Sequence, residues 1–292
     1  MLRPPCPAPA PRVPLPEGGY VRMGVEEDRA LLTALFAGLP PEDRRLRFFG
    51  GGEPSDQADH WLDVSSSGGL GIIAVTTSAA GAESCVGEAC LVPRGDGTAD
   101  FAMSVALAAR GGLGTTLLEI LRARAQEAGI EALRGDVLVR NRAMNRILRR
   151  MGGVTIDRED SSCVSVLVAT ALGAPPWPEV EGSSPRVLIE SRHGRWRGEE
   201  ELRSHGYQVA ICPGPVSRPA GDPCPLVVGG LCRLVDGADV VVHDLAPGIS
   251  ANAAVCSHLP QDDRVKVLTP RIDRALGPAD VVKTVERSQW RE

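Results

Sequence analysis

The sequence predicts an α/β fold built as two modules in one chain of 292 residues. Three observations carry that expectation. The stretch 101–128 reads as strand, glycine-rich turn and amphipathic helix, with Leu117, Leu118, Leu121 and Ala125 at helical spacing. Short β-rich and helical segments alternate through both halves of the chain, the pattern of a sheet covered by helices. The chain is long enough for about two domains of roughly 100–200 residues, and 43% of it is apolar, enough to fill their cores.

In chain order, residues 1–16 contain seven prolines and are expected as a disordered, extended tail. A first module then spans 17–172. Tyr20 to Gly24 suits a strand. Glu26 to Ala37 suits a helix, with Ala30, Leu31, Ala34 and Leu35 as its apolar face and acidic residues in its first turn, where the dipole favours them. Pro40 and Pro41 can start a second helix through L-P-P-E-D-R-R-L-R-F-F, with Phe48 and Phe49 expected in the core. Strands follow at 71–77 and 85–92 with Gly81 in the turn between them, then a turn at 93–97 and a strand from 99 to 107. After the helix at 115–128 come a strand at 131–139, a helix capped by Asn141 and running to Met151, and a closing strand at 163–169. Residues 173–185 read as a linker. Over 186–292 the pattern restarts: strands at 186–190, 207–212, 239–243 and 264–268, helices at 198–204, 249–258 and 278–288. Units of this size predict a smaller, parallel, flavodoxin-like sheet.

Composition excludes several functions. The net charge is −5 and aromatic residues make up 3%, so neither a basic nucleic-acid footprint nor a stacking platform is visible. No apolar run approaches the ~20 residues of a membrane span. The N-terminus has no apolar signal-peptide core, so a cytoplasmic protein with reduced thiols is expected.

The glycine turn carries the main functional signal. Glycines let a backbone approach a ligand closely, and a helix N-terminus offers free N–H groups to an anion. A dinucleotide fingerprint needs a third glycine where Leu117 stands, and Asp136 opens its strand rather than closing it. A P-loop needs a lysine that is not there. The stretch Ala109-Arg110-Gly111-Gly112-Leu113-Gly114 resembles motif A, Q/R-x-x-G-x-G/A, of the GNAT N-acetyltransferase superfamily, with Ala109 in place of Gln or Arg. The segment 39–49 is similar to an L-S-P-E-S-R-Y-L-R-F-F element in a branch that includes bacterial protein-lysine acetyltransferases. The resemblance spans about residues 20–170. It implies a mixed central sheet, acetyl-coenzyme A as cofactor and an amine or protein lysine as substrate. It also implies coenzyme contacts from Val105, Leu107, Arg110, Gly111, Gly112, Leu113, Gly114, Thr115 and Asn141.

Acetyl transfer needs a neutral amine, and a lysine with pKa about 10.4 is protonated near neutrality, so a base must take its proton. Asp100 in A-D-F-A stands where the resembled enzymes carry a Glu base. By register Leu148 replaces the tyrosine that protonates the leaving thiolate in many relatives, and Gly153 replaces a common Phe. A thiolate with pKa about 8.5 is a tolerable leaving group without that phenol.

In the second half, V-V-V-H-D-L-A-P-G resembles the phosphoacceptor strand and loop of response-regulator receivers, with Asp244 in the acceptor's place. Ser191 replaces an acidic residue of the opening strand, so a degenerate regulatory domain that is not phosphorylated is expected. Cys212, Cys224 and Cys232 lie in loop-rich sequence and are candidate metal ligands, with Cys256 or His258 as a fourth, although no C-x-x-C pair is present. The rival readings are therefore a non-catalytic acyl-coenzyme A sensor or scaffold, favoured by Ala109, Leu148 and Gly153, and a metal or redox sensor built on the three cysteines. Acceptor identity and oligomeric state are not encoded in any motif found.

Overall fold

The computed structural model describes residues 12–16, 18–50, 52–158, 162–178, 184–192, 194–246, 249–260, 265–269 and 276–289. The fold is mixed α/β. Two compact units divide the chain, one of residues 1–95 with 99–124 and one of residues 96–98 with 125–292.

The first unit holds β1 (Val13–Pro14), β2 (Tyr20–Met23), α1 (Arg29–Gly38), α2 (Pro41–Phe48), α3 (Pro54–Leu62), β3 (Leu70–Thr77), β4 (Glu83–Pro93), most of β5 (Thr98–Val105) and α4 (Leu113–Glu127) up to Arg124. Its strands pair antiparallel in the order β1-β2-β3-β4-β5. Thus Val13–Pro14 of the proline-rich segment is a short edge strand, the place in a sheet that tolerates proline. Residues 1–11, the rest of the expected tail, lie outside the described residues.

The expected elements form, with three differences. The apolar face of α1 is Leu32, Leu35 and Phe36, followed by Leu39, while Ala30 and Ala34 are exposed. The larger side chains bury more apolar area and set the rotation of the helix. Phe48 packs edge-on against Phe36, ring centroids 5.2 Å apart. Phe49 is not in the core: it is 51% exposed and ends α2 with φ +55°, a left-handed cap that turns its side chain to solvent. Helix α3, which starts on Pro54 at its first turn, was not expected from the sequence. Its Ala58 and Trp61 complete a core with α1 and the β3–β4 face.

The second unit holds β6 (Ala132–Leu138), α5 (Arg142–Arg150), β7 (Val154–Asp157), β8 (Cys163–Ala169), β9 (Arg186–Ser191), α6 (Glu199–Ser204), β10 (Gln208–Cys212), α7 (Arg233–Asp236), β11 (Val240–Asp244), α8 (Ser250–His258), β12 (Lys266–Leu268) and α9 (Pro278–Gln289). Its strand order is β6-β8-β7-β10-β9-β11-β12. Strands β10, β9, β11 and β12 are mutually parallel, the 2-1-3-4 order of a flavodoxin-like sheet. Both faces of this parallel part are buried, one under Trp196, Leu202, Val281 and Val285, the other under Leu226, Leu234 and Val255. That double cover explains why V-L-I and V-V-V run apolar without alternation. Strand β7, also not anticipated, joins β8 to β10 antiparallel. The expected linker is partly anchored. Trp177 is buried in the core and its Nε1 donates to the Leu234 carbonyl at 2.8 Å. Residues 179–183 of that segment lie outside the described residues.

Candidate functional site

The glycine turn sits between β5 and α4 in the first unit. Leu107–Ala109 form one 3-10 turn, where a longer strand was expected, and Leu107 is 61% exposed. Gly111 then takes φ +135°, a conformation that favours glycine. Helix α4 begins at Leu113, two residues earlier than its periodicity suggests, so Gly114 lies in its first turn. The Arg110 amide donates to Leu107 O at 3.4 Å, and Thr115 and Thr116 amides donate to Gly112 O at 2.9 and 3.1 Å. The amides of Gly111, Gly112, Leu113 and Gly114 have no hydrogen-bond acceptor among the described residues. A Cβ added at Gly111 or Gly112 would meet nothing within 4 Å, so the space beside those amides is open. No acidic side chain stands in the first turn of α4. Free N–H groups, open space and the positive dipole end of a long helix together are chemically suited to accept an anion.

The Arg110 guanidinium donates to Asp43 of α2 at 2.6 Å and ties the turn to that helix. Close approach of α4 to the sheet depends on Gly87, in register with Val105 beside a β-bulge of β4. A Cβ there would come 3.0 Å from Leu117 Cδ1 and 3.3 Å from Ser104 O.

Four residues before Ser104, Asp100 is exposed on β5, and its carboxylate pairs with Arg94 at 2.9 Å. Along a strand rising about 3.3 Å per residue, it stands roughly 17 Å from Val105. Closer to the turn lies a cluster the sequence reading missed. Glu88 of β4 is 0% exposed. Its carboxylate accepts from Arg47 Nε at 2.9 Å, Trp61 Nε1 at 2.7 Å and Ser104 Oγ at 2.6 Å. Burial opposes the Arg47 charge, but the neighbouring Glu88 charge and the hydrogen bonds to Glu88 and Cys90 outweigh it and raise the Arg47 pKa. The signal for this cluster was present: a lone Glu inside the apolar run V-G-E-A-C-L-V, at an inward position.

In the second unit Asn141 caps α5, its Oδ1 accepting from the Met144 amide at 3.1 Å. Leu148 is fully buried on the same helix. Glu190 and His243 form a buried pair at 2.5 Å at the ends of β9 and β11, and Asp244 stands in register with Ser191. Burial raises the Asp244 pKa, with a lesser opposing effect of His243. Pro247 and Gly248 of the receiver-like motif lie outside the described residues, as does His193.

Cys212, Cys224 and Cys232 pack into or against the apolar core rather than around a metal site. Among the described residues no group of three or more His, Cys, Asp or Glu side chains could hold a metal ion. Burial raises all three thiol pKa values, that of Cys232 to about 11. Burial likewise pushes Cys85 and Cys90 of the first unit up to about 12. These thiols are protonated near neutral pH and hence poor nucleophiles. In native protein at about pH 8, iodoacetamide should leave these five cysteines unmodified, and prior unfolding should expose all of them. Peptide mass spectrometry reads the difference; rapid native labelling at Cys212, Cys224 or Cys232 would contradict the placement.

No family model matches the chain, and no curated protein matches it. Solved structures do. The GNAT domain of PAT from S. lividans is 21% identical over 55% of this chain and 96% of that one, with TM-score 0.48. A GCN5-related N-acetyltransferase from Kribbella flavida is 20% identical over 52% and 98%, with TM-score 0.41. A ribosomal-protein-alanine N-acetyltransferase from Brucella melitensis is 18% identical over 51% and 98%, with TM-score 0.41. No helix among the described residues is long and apolar enough to cross a membrane.

Proposed function

We propose that the chain is an acetyl-coenzyme A-dependent N-acetyltransferase acting on an amine, with a protein lysine as the substrate class. The observation that carries this reading is the run of unpartnered amides from Gly111 to Gly114, opening onto free space at the head of α4. Those amides hold the diphosphate of the coenzyme, and the Arg110–Asp43 pair keeps the turn in place. Acetyl-coenzyme A, when bound, supplies the acetyl group as a thioester. Val105, Leu107 and Thr115 line the coenzyme's path in this reading. Asp100 accepts the proton of the incoming ammonium after that ammonium displaces Arg94 from the carboxylate. Residues 17–172 constitute the catalytic domain and 186–292 a receiver-like regulatory domain. The second part is supported by the 2-1-3-4 parallel order and by Asp244 standing beside Ser191 instead of a second carboxylate.

Titration calorimetry with acetyl-coenzyme A tests the glycine turn. The wild type should bind. Gly112→Asp should bind at least about tenfold more weakly with stability within about 0.5 kcal/mol of wild type, because the added side chain meets open space in the fold but opposes a phosphate. Absence of heat at millimolar coenzyme would dispose of the reading. Thiol release in the presence of an amine then reports chemistry, and Asp100→Ala should slow it by about 10²–10⁴-fold.

A second reading, a coenzyme-binding sensor without catalysis, is favoured by the exposure of Asp100 and its engagement by Arg94. Coenzyme binding without any thiol release would select it.

A further inference from the structure

The second unit contains a cavity of about 290 Å³ between α5, β7, β8 and the loop after β9. Arg142, Arg146, Arg149, Arg158 and Arg195 line it, with Asn145 and Thr155 as further polar groups and no carboxylate among the described residues. It adjoins a wider cavity of about 860 Å³ that shares Arg149, Arg158 and Arg195 and adds Arg197 and Glu199 to Glu201.

Among the described residues, little of the charge in the smaller cavity is balanced. Arg158 is committed to Glu199 at 2.6 Å. Arg142, Arg146, Arg149 and Arg195 have no ion-pair or hydrogen-bond partner among the described residues. Three of them recur at i, i+4 and i+7 along α5, so they share one helix face and repel one another. A fourth is delivered to the same space from the loop after β9, more than forty residues later in sequence. The chain as a whole carries −5, so this is a local concentration against an acidic background. A concave pocket of this size, walled by guanidinium groups with their planar forks of donors, is matched to phosphate oxygens.

We propose that this cavity is a binding site for a small ligand carrying at least two phosphate groups, distinct from the glycine turn. The smaller cavity takes the phosphates and the wider one leaves room for whatever they are attached to. All lining groups belong to the second unit, whereas the glycine turn belongs to the first.

Calorimetry of the full chain with inorganic pyrophosphate tests it, at low salt and again at physiological salt. The wild type should bind, with affinity falling as salt rises. The double variant Arg146→Gln/Arg195→Gln should weaken binding at least about tenfold, and in a Gly112→Asp background, where the glycine turn no longer takes a diphosphate, the arginine-dependent binding should persist. ATP should show the same dependence on the two arginines. Without ligand, the double variant should melt at or slightly above the wild-type temperature, because repulsion is relieved. Should that variant fail to fold, Arg146→Gln alone carries the same expectation. No heat with wild type, equal affinity in the arginine variants, or loss of pyrophosphate binding in Gly112→Asp would each overturn the proposal. The last result would place the anion at the glycine turn instead.

Discussion

Replacing Arg47 by Ala should lower the stability of the first unit by about 3–5 kcal/mol, the usual cost of stripping one partner from a buried ion pair. Glu88 is wholly buried, and Arg47 is the only cation bonded to it among the described residues. The Trp61 and Ser104 bonds, at 2.7 and 2.6 Å, satisfy lone pairs but bring no charge. Without the guanidinium the carboxylate stays in an apolar layer with Ile73, Cys90 and Ala102, where an unpaired charge is costly. Glu88→Gln in the Arg47→Ala background should recover part of the loss, because the amide needs no counter-charge. Urea unfolding of the single and double variants measures this. A double variant no more stable than Arg47→Ala would mean that packing of the Arg47 stem, rather than its charge, holds α2 to the sheet. Since α2 also supplies Asp43 to Arg110, the same substitution should weaken coenzyme binding along with stability.

Trp177→Ala should cost the second unit a similar amount, about 3–5 kcal/mol. The indole fills space among Leu226, Leu234 and Val235, and its Nε1 closes the Leu234 carbonyl at 2.8 Å. Gly237 is the complementary surface: a Cβ there would stand 2.6 Å from Trp177 Cδ1. Trp177→Phe keeps most of the apolar contact and loses the hydrogen bond, for a smaller loss of about 1 kcal/mol beyond the packing change. Gly237→Ala should destabilise by forcing the ring aside. Equal stability of wild type and Trp177→Ala in urea would show that 173–178 is a passive tether after all.

Most secondary structure was legible because its signals are local. Helix α4 buries Leu117, Leu118, Leu121 and Ala125, the residues its periodicity selects. Asn141 caps α5 as its position before the helix suggests. Where local signals conflict, bulk decided: α1 turned toward Leu32 and Phe36 and away from two alanines. Short elements without strong periodicity, α3, α7 and β7, escaped notice, since four to nine residues offer too little pattern to read.

The candidate site divides the same way. The glycine turn lies in one contiguous stretch, so its open amides could be anticipated from residue types alone. The Glu88 cluster draws its donors from 41, 27 and 16 residues away. The arginine cavity joins a helix to a loop that follows three intervening strands. The cysteines that looked available for metal in the sequence are committed to apolar packing.

By itself, then, the order of residues determined the α/β class, most of the succession of elements and the position of a glycine turn at the head of a helix. Each follows from interactions within a few turns of the chain. Tertiary structure alone decided which charge Glu88 meets, that Trp177 is a core residue, and that arginines from separate elements face one space. Those outcomes depend on which distant segments become neighbours when the sheets assemble, and no local propensity contains that information.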